Sequence, residues 1–199
     1  MSSAVHNAGA LVGTAPLSDE ELCRECLRGN EEAWSRLIDK YKNLIFSIPI
    51  KYGLSRDDAG EIFQAVCFEL VSELPNLRKA GALPQWLIRV AAHKCLKARA
   101  QGRRFVAEEP EDAMMVNPAQ FEVPDDLVER VQQEQKLRDA ISGLQPRCQS
   151  LIWMLFYEEP PRPYQDVARE LGLAKGSIGF IRLRCLGYLR RLLEKTGFR

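Results

Sequence analysis

Histidine is scarce in this sequence: His6 and His93 are the two imidazoles among 199 residues. The chain also lacks a glycine-rich loop of the kind that cradles phosphates, and no group of residues completes a metal site. The sequence therefore offers few of the general bases, nucleotide-binding loops and metal-ligand sets that enzymes commonly use. We therefore expect a protein that is not an enzyme and that uses no cofactor and no metal.

Long hydrophobic runs are missing as well. No stretch reaches about 18 apolar residues, so we expect no transmembrane helix and no membrane insertion. Residues 1–17 lack the basic start and apolar core of a secretory signal, and their Ser, Ala, Gly and Asn content predicts a mobile leader. A cytoplasmic location is the default expectation.

Strand signals are nearly absent, because no segment alternates apolar and polar residues with β-branched enrichment. Helical spacing dominates, which predicts an all-α protein. Between residues 105 and 126 the apolar residues show no helical periodicity, and the segment is rich in proline and acidic residues. We predict two small helical domains, 18–104 and 127–199, joined by a flexible acidic linker over 105–126.

The six cysteines do not form a recognisable framework. Cys23 and Cys26 make one CxxC pair, but no second pair or nearby histidine supplies the four ligands that zinc needs. We expect reduced, partly buried thiols, with a redox or metal role for this CxxC pair as the alternative.

The net charge of +1 conceals segregated charge. From Arg78 to Arg104 there are eight basic residues and no acidic ones, and from Phe105 to Glu129 there are eight acidic residues and no basic ones. The segment from Arg162 to Arg199 contains nine basic and three acidic residues. Basic blocks on both sides of an acidic connector predict two separate surfaces that contact a polyanion.

A helix-turn-helix pattern lies near the end of the chain. Apolar Val167, Ala168 and Leu171 share one face of a first helix, Gly172 supplies the turn, and a second helix carries apolar residues at helical spacing from 178 to 189. Small and basic residues fall between those apolar positions. Such a helix suits the major groove of DNA, although helical hairpins without a DNA partner share the pattern.

These pieces together resemble the extracytoplasmic-function (ECF) group of bacterial sigma-70 factors. Region 2 of that family is similar to the segment from Leu22 to Tyr41, followed by 57–66 and 83–92, and region 4 is similar to 144–147 followed by the hairpin. The resemblance covers roughly 18–104 and 130–195. It implies a sigma factor, which binds core RNA polymerase and promoter DNA during transcription initiation.

For polymerase binding, the resemblance implies docking of the helix matching 58–74 on a coiled coil of the β′ subunit. Asp58, Glu61 and Gln64 fall at three-residue spacing and are the expected contacts, an ordinary solvated face being the alternative. The β flap is the second expected polymerase contact. Ala65 stands where the family often has an acid, which implies weaker or retuned docking.

For the −10 element, the family captures unpaired bases, which requires cations for phosphate and a surface for bases. Trp86 can stack a base, but its place in the apolar period also fits core packing. His93 and Lys97 replace the Asn and Asp that the family often has, which implies an unusual −10 preference. The expected contacts are Trp86, Arg89, His93, Lys94, Lys97, Arg99, Arg103 and Arg104.

For the −35 element, the family places the second hairpin helix in the major groove. Phe180 can touch a thymine methyl group or a sugar, or it can simply pack. The expected contacts to phosphates or base edges are Lys175, Ser177, Phe180, Arg182 and Arg184.

Other interpretations remain at this stage. In the family the linker threads the polymerase near the RNA exit path, whereas a soluble tether explains the same composition. An anti-sigma factor is a further candidate partner. A stand-alone helix-turn-helix regulator is the alternative function, and it predicts a dimer that binds palindromic sites.

Overall fold

The computed structural model describes residues 17–77, 80–106 and 123–198, and every regular element in these ranges is a helix. The prediction of an all-α protein is confirmed. Single-turn 3-10 helices, Leu74–Asn76, Ala80–Ala82 and Lys175–Ser177, lie between the longer ones. The α-helices are α1 (Asp19–Leu27), α2 (Glu31–Lys51), α3 (Arg56–Glu73), α4 (Leu83–Val106), α5 (Asp125–Ser142), α6 (Pro146–Phe156), α7 (Tyr164–Glu170) and α8 (Ile178–Lys195).

Two predicted segments lie largely outside the described residues: the leader, except for Leu17, and most of the linker, 107–122. In the parts that the structure covers, no helix combines the length and the apolar character that a membrane crossing requires. The same parts contain no group of His, Cys, Asp and Glu that is arranged to hold a metal ion.

Local capping fixes the starts of the N-terminal helices. Ser18 and Ser55 each form a reciprocal capping box, in which the serine hydroxyl accepts from a backbone N–H three residues on. The carboxylates of Glu21 and Asp58 accept in return from the serine N–H groups. Asn30 caps α2 by accepting from two backbone N–H groups. Each cap contributes about 1 kcal/mol to stability.

Helices α1 to α4 enclose the first core. Leu37, Ile45, Leu70 and Leu87 lie in it with at most 1% of their surface exposed. Within α2 and within α3 the buried residues recur at helical spacing, so each of these helices turns one apolar face inward. Helix α2 continues through Pro49, which is buried, and ends at Lys51.

Helix α5 belongs to both cores. Leu127, Val128 and Val131 from its first half pack in the first core, whereas Ala140 near its end lies in the second core. The domain boundaries predicted from the sequence place α5 wholly in the second unit. In the packing, α5 contributes residues to both cores, and the predicted boundaries stay a prediction.

Polar contacts also hold α5 to the first core. Gln135 is 3% exposed, and its Nε2 donates to the Lys40 carbonyl at 3.2 Å and to Asp139 Oδ1 at 2.8 Å. Lys51 Nζ lies 2.9 Å from Glu134 Oε1. A buried amide that finds both partners specifies one register of α5 on α2.

The second core contains a disulfide. Cys148 of α6 and Cys185 of α8 are bonded, with Cα atoms 5.4 Å apart. The expectation of reduced thiols is wrong for this pair, because the packing of α6 on α8 brings together two cysteines that are 37 residues apart in sequence. Leu151 and Ile178 are fully buried in the same core.

The other four cysteines are free, and Cys23, Cys26 and Cys95 are buried. Burial raises the pKa of the Cys26 thiol to about 11 and that of Cys95 to about 12. A raised pKa keeps a thiol protonated and poorly reactive. For the CxxC pair, the prediction is of reduced, partly buried thiols; the structure has both thiols free and places both in the buried class.

Candidate nucleic-acid and polymerase interface

Helix α4 presents an exposed basic stripe. Arg89, His93 and Lys97 recur every fourth residue and are all exposed, which places them on one side of the helix. The buried residues Leu87 and Cys95 lie on the other side and anchor α4 in the first core. The stripe is therefore a cationic surface on a rigid support, which suits the phosphates of a nucleic acid.

The remaining predicted −10 residues are placed differently. Lys94 is half-buried, and its Nζ lies 2.6 Å from Glu69 Oε2 of α3, so this lysine ties α4 to α3. Trp86 is partly buried and packs against the first core, as its apolar period allowed. Arg99 is exposed, and the side chains of Arg103 and Arg104 lie outside the described residues.

The positive charge of Arg99 also affects Tyr52, a partly buried tyrosine that packs against the first core. Burial raises the pKa of the Tyr52 phenol, the nearby Cys95 adds to the rise, and the positive charge of Arg99 opposes it. Arg99 therefore lies near Tyr52, at the edge of the first core.

Helix α3 carries the residues predicted to contact polymerase. Asp58, Glu61 and Gln64 are all exposed. The Asp58 carboxylate is already used, since its Oδ2 accepts from Ser55 Oγ at 2.7 Å in the capping box. Glu61 and Gln64 are the two that keep their side chains available for a partner.

The same face of α3 continues into apolar residues that sequence reasoning missed. Phe68 is 79% exposed and Val71 is 58% exposed, four and seven residues after Gln64. Both fall outside the buried stripe of α3, which contains Ala59, Ile62, Val66 and Leu70. An aromatic residue off the apolar period of its helix is the signal that could have identified this patch.

The start of α8 brings together most of the predicted −35 residues. Arg184 is exposed, and no ion pair joins it to a carboxylate among the described residues. Phe180 is 70% exposed. Ser177 precedes α8, and its hydroxyl donates to the Ala174 carbonyl at 2.7 Å instead of capping the helix. Lys175 lies in the 3-10 turn before α8, and its side chain is outside the described residues.

Arg182 is not a freely extended side chain. It is half-buried, and its Nη1 donates to the Tyr164 hydroxyl at 3.1 Å. Its Nε is buried without a hydrogen-bond partner. Tyr164 begins α7, so this bond joins the two helices of the hairpin, whose turn has Gly172 at a φ of 61°. Sequence reasoning did not identify Tyr164.

Helix α6 exposes a second aromatic surface. Phe156 and Tyr157 are about half exposed, and Trp153 stacks on Tyr157 with ring centroids 5.1 Å apart. Leu151 and Ile152 of the same helix are buried in the second core. Exposed aromatic residues grouped on one helix are typical of protein-binding surfaces.

Comparison with known families gives a match within the first unit. Residues 37–105 match the family model described as sigma-70 region 2, about a third of the chain. The match covers most of α2, all of α3 and nearly all of α4, and so includes both stripes described above. A search of curated proteins gives no significant match. The region 2 match supports a sigma factor of the sigma-70 family, with the role in transcription initiation, the polymerase binding and the DNA binding that this family implies.

Proposed function

We propose that this chain is an ECF-type sigma factor that binds core RNA polymerase and directs it to promoters with −35 and −10 elements. The observation that carries the proposal is the region 2 match over 37–105, which coincides with two exposed stripes of different character on α3 and α4. One stripe suits a protein partner and the other suits nucleic acid.

The α4 stripe is the proposed −10 surface. Arg89, Lys97 and Arg99 are exposed cations on a helix that carries no acidic residue, so phosphates meet no repulsion from α4 itself. His93 lies among them and adds a planar ring that can stack on a base. Lys94 has a structural role through its pair with Glu69, and Trp86 supports the helix from within.

The α3 stripe is the proposed site for the β′ coiled coil. Glu61 and Gln64 supply polar groups, and Phe68 with Val71 supplies apolar surface next to them. A central apolar patch with polar neighbours is the usual composition of a protein interface. We extend the predicted contact set by these two residues.

Helix α8 is the proposed −35 reading helix, with Phe180 and Arg184 exposed in its first half and the half-buried Ser177 directly before it. The aromatic face of α6 is the proposed contact for the β flap, because Phe156 and Tyr157 are exposed on the same unit. An anti-sigma factor that covers the α3 face is a further proposed partner. Promoter reading in complex with polymerase places the chain in the cytoplasm.

Transcription with purified core polymerase tests the proposal. Core enzyme with and without the chain is given a pool of genomic fragments, and the RNA 5′ ends are mapped. We expect new starts that share upstream −35 and −10 elements and that weaken with Arg184→Ala. Arg190→Ala is the matched control, since Arg190 lies on the same helix, is also exposed, and is paired with Glu194 at 2.9 Å.

Polymerase binding is tested separately by co-purification with core enzyme. Phe68→Asp should abolish binding, whereas Leu27→Asp, at a similarly exposed position on α1, should not. Specific duplex binding without core binding and without new starts would contradict the sigma-factor proposal and favour the stand-alone regulator.

A further inference from the structure

The contact between Tyr164 and Arg182 leaves one buried N–H group of the arginine without an acceptor among the described residues, which costs folding free energy. Arginine has five N–H donors, and here Nη1 donates to Tyr164 while the buried Nε–H has no acceptor among the residues that the structure describes. A buried donor without a partner costs free energy, and such groups are rare in folded proteins. The position of this guanidinium therefore calls for an explanation other than stability.

The chemistry of the pair suits one phosphate group. The Tyr164 hydroxyl accepts from Arg182 and keeps its own O–H free to donate. A phosphate oxygen accepts from a phenolic O–H and from guanidinium N–H groups alike. In helix-turn-helix proteins the first helix crosses the DNA backbone while the second enters the groove. Tyr164 on α7 and Arg182 on α8 meet at the junction of those two roles.

Charges around the pair permit an anion. Asp166 of α7 is paired with Arg169 at 3.2 Å, and Glu170 is paired with Arg162. Arg162 also binds Glu158, so each of these three carboxylates in and before α7 is paired with an arginine, and Arg162 serves two of them. Arg182 has no carboxylate partner among the described residues. A phosphate that approaches Tyr164 therefore meets an uncompensated positive charge.

We propose that Tyr164 is a DNA-backbone contact that also positions Arg182, so that the two side chains bind a single phosphate of the −35 element as one unit. This inference rests on the proposed function and deepens it. It narrows the expected role of Arg182, from a contact to phosphates or base edges to one half of a phosphate clamp.

The test uses holoenzyme assembled from the full chain and core polymerase on a promoter recovered from the genomic pool. Half-saturation of open-complex formation is measured for Tyr164→Phe, Arg182→Ala and the double variant. We expect Tyr164→Phe to weaken promoter binding about three- to tenfold, the range for one lost hydrogen bond. The double variant should be no weaker than Arg182→Ala, since coupled residues are not additive.

A set of promoter duplexes, each with one uncharged methylphosphonate linkage in the −35 element, separates contact from structural support. At one linkage, neutralisation should remove the sensitivity to Tyr164→Phe, which a purely structural tyrosine would keep at every linkage. Tyr188→Phe is the matched control, because this tyrosine lies on α8 outside the proposed contact surfaces, is partly buried, and loses the same hydroxyl. It should bind like the unmodified chain.

Three results would overturn the clamp: unchanged promoter binding by Tyr164→Phe, strictly additive losses in the double variant, or equal sensitivity at all linkages. Failure of the proposed function has a different signature. In that case the unmodified holoenzyme gives no promoter-directed starts at all.

Discussion

Reduction of the Cys148–Cys185 disulfide should sharply destabilise the second core. The bond closes a sequence separation of 37 residues, and constraining a loop of that length destabilises the unfolded chain by about 4 kcal/mol in the chain-entropy model. Small domains have total stabilities of about 5–15 kcal/mol, so this loss is a large share. The first core contains no part of the crosslink and should keep its stability.

Hydrogen exchange with mass spectrometry locates the effect. The chain is measured with and without a phosphine reductant, and protection is compared between peptides of α8 and peptides of α2. We expect α6 and α8 to lose protection on reduction, while α2 is unchanged. In the Cys148→Ala/Cys185→Ala variant the reductant should have no effect, because the bond that it breaks is missing.

The thiol count makes the outcome decisive. Four free cysteines should rise to six on reduction. Six thiols together with unchanged protection of α8 would show that the crosslink adds no stability and that the loop-closure reasoning fails here. Six thiols before any reductant is added would show that the bond does not form in solution.

Three further predictions concern helix packing and capping. Gln135→Ala should lower the free energy of unfolding by about 1–3 kcal/mol, because the Lys40 carbonyl and the Asp139 carboxylate lose a donor and Arg138 Nη1 loses an acceptor, and an unchanged urea midpoint would contradict this. Burial raises the pKa of Asp139, so its ionised form is less favourable in the folded state than in the unfolded one. Asp139→Asn should therefore stabilise the chain at neutral pH, with a gain that disappears below about pH 4, and a pH-independent gain in thermal unfolding would refute the cause. Ser55→Ala should cost about 1 kcal/mol in the same assay, as expected for loss of an N-cap, and a cost near zero would show that the capping box is dispensable.

Much of the helical layout could be predicted because its signals are local. Ser18 and Ser55 cap helices through bonds to residues three positions on, and Gly172 adopts a positive φ that favours glycine. The apolar period then identified the buried faces of α3 and α8. These features depend on a few neighbouring residues, so a single sequence contains the information.

The features that could not be predicted depend on contacts between distant segments. The Cys148–Cys185 bond, the division of α5 between two cores and the inward position of Arg182 are set by how helices pack. Among the candidate site residues, Lys94 has the same charge as the other cations of its basic run, and only the folded structure shows that it is paired with Glu69. Charge and spacing identify a candidate face, but they do not show which member of it is already bonded within the chain.

The packing of α5 bears on how both proposed surfaces are reached. Helix α5 covers the first core with Leu127 and Val131 and holds α2 through Gln135. Yet Arg89 on α4 and Phe68 on α3 remain exposed while α5 is docked. Within the described residues, therefore, neither the basic stripe nor the apolar patch requires α5 to move before a partner can bind. Nucleic acid and polymerase can approach the two faces of the first unit with its core intact, which is what simultaneous binding by a sigma factor demands.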